Sequence, residues 1–151
     1  RPMKTHENIL MFAKKAGGTY NPIMEKGEPF KRQSKNPEGY VSKRNDHNYG
    51  LKPVKGFENK GTRYPKSILN ISRDFSAQQQ LHPTQKPVPL LEWLIKTFSN
   101  EGEIVLDNCM GSGSTGVAAM NLNRRFIGME TEQKYFDIAK QRIEVGRLPV
   151  Q

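Results

Sequence analysis

Apolar positions recur at helical spacing in "PVPLLEWLIKTFSN", where Leu90, Leu91, Leu94, Ile95 and Phe98 share one face. Pro87 and Pro89 suit the start of that helix, where a missing N–H costs little, and residues 100–102 end it. "EIVLD" is a short unbroken apolar run and reads as a fully buried strand. "STGVAAMNLN" reads as a helix with Ser114 or Thr115 as its cap. "RRFIGME" reads as a second strand. "TEQKYFDIAKQRIEV" closes the pattern as a helix, with Tyr135, Ile138, Ala139 and Ile143 on its apolar side and Thr131 capping. Strand, helix and strand with short connections predict a βαβ unit with parallel strands and a right-handed crossover, an α/β fold.

The pattern upstream is weaker. "HENILMFAKK" carries the apolar run Ile9, Leu10, Met11 and Phe12, of strand length, stopped by Gly17 and Gly18. Residues 19–61 are rich in Gly, Pro, Asn, Lys and Tyr and hold no sustained period. So long an irregular stretch is uncommon inside a compact domain, so it is expected to be a functional loop region or disordered. "KSILNISRDF" predicts a further short strand.

Composition adds bounds. The chain has 151 residues, of which 34% are apolar, enough for one domain with a modest core and some loop or partner surface. Its one cysteine, Cys109, excludes an internal disulfide and fits a reducing, cytoplasmic setting. No apolar run approaches the ~20 residues of a membrane span, and no signal peptide opens the chain. A start at Arg1 suggests a fragment. The net charge of +9 is uneven: residues 1–86 hold 17 Lys and Arg against 7 Asp and Glu, whereas residues 87–151 hold 7 against 8. A basic first part favours a polyanionic partner or is simply solvated.

Candidate chemistry gathers in "VLDNCMGSGSTG". Its G-x-G-x-x-G, Gly111, Gly113 and Gly116, lies between the first strand and its helix. Asp107 ends the first strand and Glu130 the second, so both acids are expected to face one ligand region at the carboxyl ends of a parallel sheet. NAD fits the spacing of Glu130 but would bring two phosphates near the Asp107 carboxylate, which is electrostatically poor. S-adenosylmethionine has no phosphate, and its ammonium and cationic sulfur suit Asp107. Main-chain N–H groups at the helix start can meet its carboxylate, and Glu130 can accept from both ribose hydroxyls. D-x-x-x-G-x-G with a distal Glu therefore favours S-adenosylmethionine, with an NAD-dependent oxidoreductase as the alternative. The glycines would serve equally to make a tight turn, but that reading leaves two acids unused. His6 and His47 have no metal-ligand companions, so no metal is expected.

"HPTQKP" (residues 82–87), followed by "LLEWLI", "VLDNCMGSGSTGVAA" and "FIGMETEQKYFDIAKQRI", resembles the amino DNA methyltransferases of permuted, β-type motif order. The likeness is strongest to the adenine-N6 enzymes, including phage and prophage members, and covers residues 81–147. More weakly, "RPMKTHENILMFAKK" looks like the strand before the target-recognition region of these enzymes, and "YPKSILNI" like the strand leading to HPTQKP. The resemblance implies a partial Rossmann-like S-adenosylmethionine-dependent methyltransferase sheet with an irregular basic insertion. It implies a core strand in residues 1–18, a largely loop DNA target-recognition region in 19–80, and the cofactor-binding βαβ portion in 81–151. Thr84, Gln85 and Lys86 become cofactor contacts, with Lys86 meeting the carboxylate. Asp107, Gly111, Ser112, Gly113, Ser114 and Thr115 form the glycine-loop motif, and Glu130 binds the ribose. Asn108, Cys109 and Met110 depart from the family's frequent Pro-Phe at this point, and Cys109 and Met110 are expected to pack. His82 is expected to be a structural hydrogen-bonding residue.

The family also needs a [D/N/S]-P-P-[Y/F/W] loop whose acceptors hold the target amine and whose ring stacks on the flipped base. The sequence contains none, and "YNPIM" reads as a turn. In β-type order that loop would precede Arg1. The expectation is the C-terminal portion of a site-specific enzyme of the restriction–modification type, transferring a methyl group from S-adenosylmethionine to adenine N6. Alone it would have no catalytic residue and be inactive, with exposed apolar surface along the "VLD" strand. A non-catalytic DNA-binding remnant or subunit and a cytosine-N4 enzyme are the alternatives. Lys31, Arg32, Lys35, Lys43, Arg44, Lys52, Lys55, Lys60 and Arg63 are expected to contact DNA phosphates. Tyr20, Phe30, Tyr40, Tyr49 and Phe57 are expected to stack on bases or pin the loop. Double-stranded DNA and the rest of the enzyme or a second subunit are the implied partners, a homodimer being a further arrangement; no membrane is implied.

Overall fold

The structure, a computed structural model, describes residues 7–14, 17–32, 57–74 and 76–145. In chain order its elements are β1 (Glu25–Lys26), β2 (Phe30–Arg32), β3 (Phe57–Asn59), β4 (Thr62–Arg63), a 3₁₀ turn (Ala77–Gln79), α1 (Val88–Phe98), β5 (Ile104–Asp107), α2 (Ser114–Asn121), β6 (Arg125–Gly128) and α3 (Gln133–Val145). They divide into two compact units, one spanning Pro22–Ile68 and the other made of the chain before and after it.

The unit Pro22–Ile68 is built from two short antiparallel pairs, β1 with β4 and β2 with β3. Its turn from β3 to β4 is fixed by Asn59. The Asn59 carbonyl oxygen accepts from the N–H groups of Gly61 (2.8 Å) and Thr62 (3.0 Å), and its amide donates to the Thr62 carbonyl (2.7 Å). Gly61 has φ +96°, and a side chain there would come within 2.8 Å of the Gly27 carbonyl, so only glycine fits.

The other unit has an α/β core. α1 begins where the prolines place it, with Pro87 at the N-cap and Pro89 in the first turn, and Asp74 accepts from the free N–H of Val88 (3.2 Å). Its C-terminal end is secured from two sides. Asn21 donates its main-chain N–H to the Thr97 carbonyl (2.7 Å) and its amide to the Ser99 carbonyl (3.2 Å), while the Tyr20 ring lies 5.9 Å from that of Phe98. The buried Arg124 donates to the carbonyls of Ser99 (2.7 Å) and Leu122 (2.6 Å). "YNPIM", expected to be a simple turn, thus contributes a helix stop.

β5 and β6 are parallel, in the register Ile104↔Arg125 to Asp107↔Gly128, with α2 between them in sequence. Ile95, Ala118 and Ala119 form the core, packed against Val88, Leu91, Val105, Leu122 and Phe126. The period of two along the strands decides what is covered: Val105 and Phe126 face the core, whereas Ile104 and Leu106 are 51% and 60% exposed. The expectation of a fully buried β5 is therefore corrected. Among the described residues only one face has helices to cover it, and the other shows the apolar exposure expected along "VLD".

Four further expectations are corrected. Residues 9–12 form no strand, and Ile9, Leu10, Met11 and Phe12 are exposed; residues 66–74 form none either. A strand needs a neighbour to take its N–H and C=O groups, and neither run pairs with a strand among the described residues. At α2 the cap is Gly113, left-handed at φ +81°, and Ser114 is the first helical residue. At α3 the Glu132 carbonyl takes the first N–H groups, while the Thr131 hydroxyl turns to Glu130 (3.5 Å). Among the described residues no helix is long and apolar enough to cross a membrane.

Candidate functional site

The parallel register brings the ends of β5 and β6 side by side, and two further bonds extend it. Met129 N–H donates to the Asp107 carbonyl (2.9 Å), and Met110 N–H to the Met129 carbonyl (2.9 Å). Asp107 and Glu130 therefore stand at the same end of the sheet. Asp107 Oδ1 accepts from Cys109 N–H (3.1 Å), and Oδ2 accepts from the Thr115 hydroxyl (2.6 Å). Glu130 Oε2 accepts from Gly111 N–H (2.8 Å), and Oε1 from the N–H groups of Thr131 (2.9 Å) and Glu132 (3.0 Å). The Glu132 N–H does most to hold the Glu130 carboxyl below the usual carboxylate range. Desolvation opposes it; the N–H groups of Gly111 and Thr131 and the positive potential of His82 assist.

The glycines divide their work. Gly111 (φ +52°) and Gly113 (φ +81°) both need left-handed backbone to complete the turn. Gly113 also lies against α3: a side chain there would come within 2.8 Å of the Ala139 methyl. Gly116 is packed between Ile143 and Phe126, where a side chain would reach 2.7 Å from the Phe126 ring. Gly116 and Gly113 thus serve helix packing, and Gly111 lies beneath the His82 ring.

The 82–87 segment forms the opposite wall. The His82 ring packs edge-on against Tyr135, centroids 4.4 Å apart, with the Thr84 hydroxyl 3.1 Å from its Nδ1. Gln85 Oε1 accepts from Leu81 N–H (2.9 Å) and from the Ser112 hydroxyl (3.3 Å), tying this segment to the glycine turn. Lys86 Nζ meets the Glu7 carboxylate at 2.8 Å.

Between these walls lies a cavity of about 80 Å³ lined by Thr84, Gln85, Lys86, Asp107, Gly111, Ser112, Ser114 and Thr115, together with His82, Leu91, Cys109 and Met110. Whole-ligand pockets run to roughly 300–1,000 Å³, so this one suits the end of a ligand and not all of it. Gly113 and Glu130 are outside the lining. Cys109, expected to pack, is exposed and faces the cavity, whereas Met110 is buried. The cavity holds one carboxylate, Asp107, and one ammonium, Lys86, beside the start of α2. There the first N–H groups have no carbonyl of their own helix to meet. Such a set matches a ligand end that is itself both cationic and anionic.

Of the lining residues, Leu91 was expected only on the apolar face of its helix, and the contact of Arg142 with the Ser112 carbonyl escaped the sequence pattern. Arg142 on α3 donates to that carbonyl at 2.5 Å, and nothing in a final-helix arginine announces such a contact.

Of the basic residues expected at DNA, Lys31 and Arg32 lie on β2, Arg63 on β4, and Lys60 between β3 and β4. Lys31, Lys60 and Arg63 are exposed, and Lys31 pairs with Glu58 at 3.2 Å. Phe30 and Phe57 meet edge-on, centroids 6.2 Å apart. Lys35, Lys43, Arg44, Lys52 and Lys55, with Tyr40 and Tyr49, lie outside the described residues. No group of three or more His, Cys, Asp or Glu among the described residues could hold a metal.

A family model described as DNA methylase, N6_N4_Mtase, matches residues 1–141. The type II methyltransferase M2.DpnII of Streptococcus pneumoniae is 52% identical over 63 residues, 42% of this chain and 24% of that protein. M2.LlaDCHI of Lactococcus lactis subsp. cremoris is 48% identical over 65 residues, covering 43% and 24%. This chain therefore spans about a quarter of the length of these relatives in the matched region. Among solved structures, the M1.HpyAVI–SAM complex is 31% identical with a TM-score of 0.46, covering 80% of this chain and 63% of that one. The PvuII DNA methyltransferase, described as cytosine-N4-specific, is 26% identical with a TM-score of 0.47, covering 52% and 32%.

Proposed function

This chain belongs to the N6_N4_Mtase family of DNA methylases, of the β type, and from that premise we propose that it forms the cofactor pocket and DNA-recognition part of a site-specific DNA methyltransferase. The cofactor is S-adenosylmethionine and the product N6-methyladenine in double-stranded DNA. One observation carries this reading: a single cavity combines Asp107, Lys86 and the free N–H groups at the start of α2.

S-adenosylmethionine supplies the methyl group on a cationic sulfur. Asp107 attracts the ammonium at the amino-acid end; its two oxygens accept one protein donor each, which leaves lone pairs for the ligand. Lys86 and the main-chain N–H groups of Ser114 and Thr115 face the ligand carboxylate. Gly111 lets the backbone approach, and Thr84 and Gln85 close the wall. Ser112 and Gly113 act by shaping the turn, since the Ser112 hydroxyl is spent on Gln85 and Gly113 on Ala139. Glu130 accepts from the ribose. Among the described residues its Oε2 receives one N–H against two on Oε1, so it is the oxygen with room for a hydroxyl.

The target amine is a poor nucleophile, and holding it in line with the methyl-bearing sulfur supplies much of the catalysis. No residue of this chain is assigned that task. A D/N-P-P-Y loop from the remainder of the enzyme or from a second subunit performs it, in a heteromeric or homodimeric assembly. Residues 1–18 belong to the core, residues 19–80 approach DNA and residues 81–151 bind the cofactor. Lys31, Arg32, Lys60 and Arg63, with Lys35, Lys43, Arg44, Lys52 and Lys55, neutralise phosphates. A cytoplasmic location follows from a DNA substrate and a single free cysteine.

Thermal melting with and without ligand tests the cofactor. S-adenosylhomocysteine at about 100 times its Kd should stabilise the chain by ~2.7 kcal/mol, and NAD should leave the transition unmoved. Stabilisation by NAD alone would overturn the reading in favour of a nucleotide-dependent oxidoreductase.

A further inference from the structure

The peptide group between Ser112 and Gly113 is held at both ends. Its N–H donates to the Met110 carbonyl at 2.8 Å, and its C=O accepts from the Arg142 guanidinium at 2.5 Å. The same Arg142 nitrogen reaches the Ser112 hydroxyl (3.1 Å) and the Ser114 hydroxyl (3.5 Å). The Ser112 hydroxyl in turn donates to Gln85 Oε1 (3.3 Å), which also takes the Leu81 N–H. A continuous polar chain therefore runs from α3 through the glycine turn to the 82–87 wall. Ser112 is only 3% exposed, so water offers its carbonyl little in exchange.

α3 presents this contact with a purpose-built face. Ala139 and Arg142 are three residues apart, hence neighbours on the helix surface. Ala139 gives Gly113 its close seat, and Arg142 takes the carbonyl immediately before it. Burial draws the guanidinium out of water, a cost that the nearby Asp74 carboxylate partly offsets. An arginine kept in such a setting is held by its partners there, and three of its contacts are to residues of the turn.

We infer that Arg142 is a positioning residue for the cofactor site: it fixes the Ser112 carbonyl so that the turn presents its N–H groups towards the cavity. This rests on the cofactor reading above. Arg142 does not line the cavity and touches no ligand; it acts through Ser112. Gly111 and Gly113 make the turn conformable, and Arg142 removes the alternatives their freedom would otherwise allow.

The test compares Arg142→Ala and Arg142→Lys with Arg124→Ala in the full chain. Arg124 is a buried arginine that bonds Ser99 and Leu122 and lies outside the cavity lining. Two quantities are measured: the Kd for S-adenosylhomocysteine by titration, and hydrogen exchange at the Gly113 and Ser114 amides without ligand. Arg142→Ala should raise the Kd about tenfold, the loss of one good hydrogen bond, and accelerate exchange at Gly113. Arg142→Lys, which keeps one donor for the carbonyl, should recover part of both effects. Arg124→Ala should lower Tm yet keep the Kd within about twofold. The inference is overturned if Arg142→Ala binds within about twofold of the unaltered chain, or if Arg124→Ala weakens binding as much. Should Arg142→Ala fail to fold, Arg142→Lys decides by the same limits. Failure of the unaltered chain to bind would strike the cofactor reading itself, and unchanged Gly113 exchange would then refute the role of Arg142 separately.

Discussion

The Glu130 carboxylate holds the main-chain N–H of Gly111 at 2.8 Å, joining the segment after β6 to the turn after β5. With the N–H groups of Thr131 and Glu132 on its other oxygen, it is an anion set among donors. Folding favours its charged form, so its carboxyl lies below the ordinary value of 4.5. Its stabilising contribution is fully present above the unfolded value and is lost as pH falls through the lowered folded one. The gap in unfolding free energy between the unaltered chain and Glu130→Gln should be constant near neutrality and close as pH drops below 4.5. Urea denaturation across that range measures it. A gap that widens in acid would contradict the donor arrangement.

Gly113 combines left-handed backbone with a seat on Ala139, whereas Gly102 has a similar φ, +78°, and nothing within 4 Å of where a side chain would go. Gly102→Ala should cost the conformational strain alone, about 1 kcal/mol. Gly113→Ala should cost clearly more, about 2–4 kcal/mol, because α3 must also move. Equal costs by chemical denaturation would mean that α3 does not rest on the turn.

Lys86 is paired with Glu7 at 2.8 Å, with the two side chains 47% and 73% exposed. Such an exposed pair contributes at most about 1 kcal/mol. A ligand carboxylate meeting Lys86 competes with Glu7, so Glu7→Gln should tighten S-adenosylhomocysteine binding by no more than about fivefold. Lys86→Ala should weaken it. Titration calorimetry at low ionic strength reads both; weaker binding in Glu7→Gln would show that Glu7 orients Lys86 instead of competing for it.

The exposed Lys60 lies in the β3–β4 turn that Asn59 fixes, and the exposed Arg63 lies on β4 after it. If they contact phosphates, log Kobs for a duplex should fall linearly with log salt concentration. Neutralising either residue should reduce that slope by about 0.9. Fluorescence anisotropy over about 50–200 mM salt follows this. A slope unchanged by both substitutions would remove β4 and its turn from the DNA surface.

The second half of the fold was legible because α1, α2 and α3 carry a period their own packing enforces, and β5 and β6 are joined by a short helix. Leu91, Val105 and Phe126 lie against the core as that period implies. The strand runs at residues 9–12 and 66–74 were not legible. An apolar sequence states only that a strand is affordable, and a partner must supply its hydrogen bonds. Burial of Ile104 and Leu106 failed for the same reason. Strand composition records what a sheet is suited to, not which neighbours are at hand. At the site, the place of Asp107 at the end of β5 and of the glycine turn before α2 could be read from residue type and order, whereas Lys86 was brought in by the family resemblance. The spending of Ser112 on Gln85 depends on the 82–87 segment meeting the turn, and that of Ser112 on Arg142 and Gly113 on Ala139 on α3 folding back over it, which no local pattern encodes.

The central claim is that the turn after β5 receives a phosphate-free, zwitterionic nucleoside cofactor. Amide chemical shifts of the labelled chain, followed during titration with S-adenosylhomocysteine and separately with NAD, test it residue by residue. The account predicts that S-adenosylhomocysteine moves the signals of Gly111, Ser112, Ser114 and Thr115, with Thr131 and Glu132 beside the ribose acid, while NAD leaves them in place. Movement of those signals by NAD, with S-adenosylhomocysteine silent, would contradict it.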